Sequence, residues 1–156
     1  MSNLRHDLLT SGWSMIEAQK WATRINACWH ELSPGRYESG QHSVIQSCFD
    51  EMSWLLHEAL PEECFFFDAV EARDVARNEM VSSYWHTDGG YLRVLLTCQG
   101  DGTIAALGFE NNIATPPGYA LIITGQRRFW KTGICQTWHS GPANAKHRRL
   151  VLFNSY

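Results

Sequence analysis

Leu92-Arg93-Val94-Leu95-Leu96-Thr97-Cys98 is an apolar run of strand length, and Gly100-Asp101-Gly102 closes it with a turn signal. Ile104 to Phe109, Tyr119-Ala120-Leu121-Ile122-Ile123-Thr124 and Leu150-Val151-Leu152-Phe153 read as further strands. Turn clusters punctuate them at Asp88-Gly89-Gly90, Asn111-Asn112, Pro116-Pro117-Gly118 and Ser140-Gly141-Pro142. Cys64-Phe65-Phe66-Phe67 is a shorter apolar run, too short for a helix. Many short strands at this spacing imply an antiparallel β-sandwich or barrel.

The chain before this region carries a different period. Trp13, Ile16, Ala18, Trp21, Ala22, Ile25, Trp29 and Leu32 recur at steps of three and four, which predicts one face of a helix. Ser14 with Glu17 reads as a capping box at its start, and Ser33-Pro34-Gly35 as its end. Ile45, Cys48, Phe49, Met52, Leu55, Leu56 and Ala59 form a second stripe, capped by Ser43 and Gln46 and stopped by Pro61. No repeat or linker divides the chain. The expected organisation is a single domain over 1–156, with 1–61 as helical support and 62–156 as a β core.

Composition narrows the function classes. The chain has 156 residues, 44% hydrophobic and 19% charged, which excludes extended disorder and permits a core without disulfide staples. A net charge of −3 gives no general basic field and argues against nucleic acid as a partner. Gln126-Arg127-Arg128-Phe129-Trp130-Lys131 is the one basic and aromatic cluster, and it reads as a solvated loop. The five cysteines are odd in number and form no CxxC, so they read as free thiols in a reducing compartment. No apolar stretch approaches the roughly 18 residues of a membrane span, so no membrane partner is expected. The expectation is a soluble, cytoplasmic protein. No GxSxG, P-loop or GxGxxG is present.

His86-Thr87-Asp88 lies where an extended segment enters a Gly-Gly turn, and His139 lies just before another turn. Side chains two apart in an extended segment point the same way, so His86 and Asp88 can share one face. His139, from a distant strand, would complete three ligands. Two imidazoles and a carboxylate suit non-haem Fe(II) with open positions, and zinc is chemically possible. Taken singly, each of these residues has an ordinary structural role; their order along the predicted strands is what points to a metal.

These segments, with Gly100-Asp101-Gly102-Thr103, Pro117-Gly118-Tyr119 and Arg149-Leu150-Val151-Leu152-Phe153, resemble the core of the Fe(II)/2-oxoglutarate-dependent dioxygenases. The resemblance covers roughly Tyr84 to Tyr156. It implies an α+β, mainly β fold: a double-stranded β-helix (jelly roll, cupin-like) with two N-terminal supporting helices. It implies His86, Asp88 and His139 as iron ligands, with 2-oxoglutarate and O2 as cosubstrates. It implies an arginine for the distal carboxylate of 2-oxoglutarate, which a guanidinium can grip through two parallel bonds. Arg149 fits the motif best. Arg148 is the alternative, because a one-residue change of register reverses the face. Arg93 is a third cation, able to hold 2-oxoglutarate, a substrate carboxylate or an acid outside the barrel. Trp85 and Trp138 are expected to pack outside; Tyr84, Tyr91 and Tyr119 are pocket candidates.

The activity implied is oxidation, by default hydroxylation, of a small molecule, amino acid or peptide side chain. Two other readings compete: a cupin-type metalloprotein that does not use 2-oxoglutarate, and a non-catalytic β-sandwich binding module. Both arginines outside the barrel would favour the cupin; two histidines too distant to share a metal would favour the module. Oligomeric state and substrate identity stay open at this level.

Overall fold

The computed structural model describes residues 3–33, 35–38, 40–74, 84–106, 111–143 and 147–156. Nine strands and four α-helices are found among them: α1 (Leu4–Thr10), β1 (Trp13–Glu17), α2 (Gln19–Ala27), β2 (Gly35–Tyr37), α3 (Ser43–Ala59), β3 (Phe67–Asp74), β4 (Leu92–Gln99), β5 (Ile104–Ala106), β6 (Asn112–Ala114), β7 (Tyr119–Thr124), α4 (Gln126–Thr132), β8 (His139–Ser140) and β9 (Arg149–Ser155). A six-stranded sheet runs β1-β7-β4-β9-β3-β2, and a three-stranded sheet runs β6-β5-β8. All pairings are antiparallel. This is the double-stranded β-helix, mainly β, with helices against one sheet.

The large sheet is apolar on both faces, and strand alternation separates two cores. Leu92, Val94, Leu96, Ala120, Ile122, Val151 and Phe153 meet Trp21, Ala22, Ile25, Ile45, Cys48, Met52 and Leu56 from α2 and α3. The intervening residues Leu95, Leu121, Ile123, Leu150 and Leu152 join Ala105 in a second, smaller cluster facing the three-stranded sheet. The helix side therefore carries the bulk of the packing. The other side is left thin enough to hold a pocket.

Several local expectations are corrected. Trp13–Glu17 is a strand, not the first turn of a helix, because its backbone pairs with β7 from Trp13↔Ile123 to Glu17↔Tyr119. Ser14 accordingly caps nothing; its hydroxyl donates to Asp7 at 3.0 Å. The helix begins only at Gln19. The second helix starts without a side-chain cap, and Gln46 instead accepts from the Gly40 amide at 2.9 Å. Residues 126–131 form α4 rather than a solvated loop, and Arg128 is fully buried. The strand expected from Ile104 to Phe109 is described as Ile104–Ala106; 107–109 lie outside the described residues, as does Pro34 of the expected helix stop. All five cysteines are free, though Cys64 and Cys135 are exposed. Among the described residues no helix is long and apolar enough to cross a membrane.

Candidate metal centre

His86 and His139 form an isolated antiparallel bridge, each amide donating to the other's carbonyl at 3.0 and 2.9 Å. A directly opposed pair sets its side chains on the same face, and the two ring centroids lie 4.3 Å apart. Asp88, two residues beyond His86, joins that face. One ligand atom from each of the three residues lies within 4.8 Å of the others. His139 is 2% exposed and Asp88 8%, so this is an interior cluster.

The hydrogen bonds around the rings define their free atoms. His86 Nδ1 lies 2.9 Å from Tyr84 O, and His139 Nδ1 lies 3.2 Å from Thr137 O. A carbonyl only accepts, so each Nδ1 is the donor to it, and Nε2 is the ring atom left to face the cluster. His139 Nε2 stands 3.2 Å from Asp88 Oδ2, and that oxygen is buried without an aligned hydrogen bond. Two imidazole nitrogens and a carboxylate oxygen within 4.8 Å of one another are a donor set that one cation can bridge. The residues present therefore fit a divalent metal of the borderline type that imidazole and carboxylate together prefer.

Arg93 holds the other side of Asp88, with Nη1 2.7 Å from Oδ1, while its Nε donates to Asn154 Oδ1 at 2.6 Å. Burial pushes the Asp88 carboxyl up, but the contacts with His139, Arg93 and His86 outweigh it and leave it below the usual range. Burial draws the Arg93 guanidinium down, against the attraction of Asp88.

A pocket opens beside this cluster, lined by Arg73, Arg93, Leu95, Thr103, Arg148 and Leu152 together with both histidines. Alternation along β9 decides which arginine enters it. Arg149 shares parity with Val151 and Phe153, so it faces the helices: its guanidinium lies 5.2 Å over the Trp29 ring and donates to Asn26 at 3.3 Å. Arg148 shares parity with Leu150 and Leu152 and lines the pocket. Its Nη2 donates to Thr103 Oγ1 at 2.8 Å, and its buried Nε has no partner. Burial, with Arg73 nearby, draws this guanidinium down to about 10, still charged at neutral pH. Arg73 is held by Glu71 through two bonds, at 2.7 and 3.2 Å.

Of the aromatic candidates, Tyr84 alone touches a member of the cluster, with its ring centroid 5.0 Å from that of His86. Tyr91 is corrected to the helix side, stacked on Phe65 at 5.6 Å with its hydroxyl on Glu63. Tyr119 lines a separate cavity beside α2 and α3. Trp85 and Trp138 are 42% and 52% exposed. Arg73 and Thr103 join the pocket without a sequence motif that marks them as lining. Thr103 ends the Gly100-Asp101-Gly102 turn, and Arg73 shows only in the alternation of β3.

The six-stranded and three-stranded antiparallel sheets make a fold that this chain shares with solved structures of 2-oxoglutarate–Fe(II) oxygenases. Solved structures of that class superpose over nearly the whole chain. A prolyl-4-hydroxylase from Pseudomonas putida is 14% identical with a TM-score of 0.67, covering 97% of this chain and 96% of its own. A viral collagen prolyl hydroxylase from Paramecium Bursaria Chlorella virus-1, in complex with 2-oxoglutarate, is 11% identical with a TM-score of 0.65, covering 92% and 94%. HygX from Streptomyces hygroscopicus, with nickel and 2-oxoglutarate bound, is 9% identical with a TM-score of 0.63, covering 99% and 86%. Neither family models nor curated proteins give a match to the sequence.

Proposed function

We propose that the chain is a non-haem Fe(II)- and 2-oxoglutarate-dependent oxygenase that hydroxylates a small molecule, an amino acid or a peptide side chain. The observation that carries this reading is a three-donor metal cluster beside a pocket that holds a buried arginine whose Nε has no partner. His86 Nε2, the Asp88 carboxylate and His139 Nε2 would hold the metal. When bound, iron with 2-oxoglutarate supplies oxidation of a C–H bond by O2 as 2-oxoglutarate is split to succinate and CO2.

The protein's own work is positional. Tyr84 O and Thr137 O fix the ring orientations, so both lone pairs stay directed at one point. Arg93 occupies Asp88 Oδ1 and leaves Oδ2 to the metal. Arg148, steadied by Thr103, offers a charged fork to the distal carboxylate of the cosubstrate. Leu95, Leu150 and Leu152 supply the apolar part of a lining that is otherwise polar. The prolyl hydroxylases among the structural neighbours make a peptide side chain a reasonable substrate to screen first.

The test is an anaerobic visible spectrum of the protein titrated with Fe(II) and then with 2-oxoglutarate. A weak charge-transfer band is expected that needs iron, 2-oxoglutarate and His86. Iron binding with no band on adding 2-oxoglutarate would move the protein to the cupin class.

A further inference from the structure

We propose that Arg128, remote from the pocket, is a positioning residue of the metal centre, acting on Asp88 through the backbone of α4. The inference rests on His86, Asp88 and His139 being a metal site. It begins with a helix that should not stand by itself. α4 has seven residues and no side-chain cap at its start, and isolated helices of that length are unstable in water.

Arg128 is its third residue and has no exposed surface. Its guanidinium reaches in three directions. Nε and Nη2 donate to the two oxygens of Glu63, both at 2.7 Å. Nη1 donates to Thr124 Oγ1 at 2.6 Å and to Leu8 O at 3.0 Å. One side chain thus ties α4 to the end of β7, to α1 and to the segment that follows α3. A fully buried cation is tolerated only when paired in this way.

What α4 does with that rigidity is visible at its N-terminal end. The first amides of a helix have no partner inside it. Here they meet the segment that carries Asp88: Gln126 N donates to Asp88 O at 2.7 Å and Arg127 N to Gly90 O at 3.1 Å. Gly125 N, just ahead of the helix, donates to Tyr91 O at 3.0 Å. Tyr91 closes the circuit, its hydroxyl donating to Glu63 Oε2 at 2.8 Å. The Glu63–Arg128 ion pair therefore bears on the Asp88–Tyr91 segment twice, through the helix amides and through the Tyr91 ring. There is no slack at the contact, since a Cβ on Gly125 would collide with Gly90 O. The two histidines are fixed by their own bridge, whereas the direction of the Asp88 carboxylate depends on this clamp and on Arg93.

The test uses Co(II) in place of iron, because its visible d–d bands report ligand geometry without turnover. In Arg128→Met, Co(II) affinity is expected to fall by about tenfold or more, and the bands at saturating Co(II) to shift. Arg128→Lys should recover part of both. Ile25→Ala, in the core beneath α2, serves as the control: it should lower the melting temperature and leave the spectrum alone. A folded Arg128→Met with wild-type affinity and bands overturns the inference. Should that variant fail to fold, Gly125→Ala displaces the same segment without touching the ion pair, and wild-type bands there overturn it equally. Wild-type protein that binds no Co(II) brings down the metal reading and this inference together. Wild-type binding with unmoved variants brings down this inference alone.

Discussion

Arg148 donates from Nη2 to Thr103 Oγ1 over 2.8 Å, and the bond fixes a charged side chain whose buried Nε has no other partner. A buried donor left unsatisfied is costly unless a ligand completes it. Arg148→Gln should therefore weaken 2-oxoglutarate binding by about 2–3 kcal/mol, roughly thirty- to 150-fold, with little change in metal affinity. Thr103→Val should cost less, because it loosens the fork without removing it. Titration of 2-oxoglutarate into the anaerobic Fe(II) protein measures both.

Arg149 is the counter-test. Its guanidinium packs on Trp29 and reaches Asn26, so Arg149→Ala should lower stability by about 0.5–1 kcal/mol while 2-oxoglutarate affinity stays at the wild-type value. A loss of cosubstrate binding in this variant, with Arg148→Gln unaffected, would exchange the two roles. Thermal melts beside the same titration decide it.

The buried ion pair at Glu63 predicts the acid limb of stability. Burial pushes its carboxyl up, but the hydrogen bonds from Arg128 and Tyr91 prevail and hold it below the usual range. A carboxyl depressed in the folded state stabilises the protein above its unfolded pKa of about 4.3, and the contribution is lost as pH falls through the folded value. Glu63→Gln should lower the melting temperature at pH 7 and flatten its decline below about pH 4.5. Melts between pH 3 and 7 give the slope; an unchanged slope would remove Glu63 from the account.

Gly90 makes a steric prediction. A Cβ there would lie 2.7 Å from Ser155 O, a backbone atom that the sheet holds in place. Gly90→Ala should cost about 1–3 kcal/mol, or about 2–12 °C in melting temperature. Because Arg127 donates to the Gly90 carbonyl, the same variant should weaken Co(II) binding. Calorimetry and metal titration on one sample test both.

The strands that frame the pocket were legible because alternation and turn glycines are local signals. Leu92–Cys98, Tyr119–Thr124 and Leu150–Phe153 all fall within observed strands. Trp13–Glu17 is ambiguous in the sequence because its apolar residues satisfy both periods over so few positions. Pairing with β7 is a non-local fact, and it decided for the strand. Arg128 was read as solvated for the same reason: its partner Glu63 lies 65 residues away, beyond any window that periodicity uses. Between Arg148 and Arg149 the chain left a choice of parity, and the phase of one strand against the helices resolved it.

That phase reaches further than one arginine. In β4, β7 and β9, one set of alternate residues packs against the helices and the other set builds the second cluster, from which β4 and β9 also wall the pocket. The two sets share a backbone but hardly touch one another. The pocket-lining positions Leu95, Leu150 and Leu152 can be rewritten to recognise a new molecule while the outer set keeps the scaffold standing. An engineer reshaping this pocket would randomise the alternate residues of β4 and β9 that line it and leave the intervening ones alone.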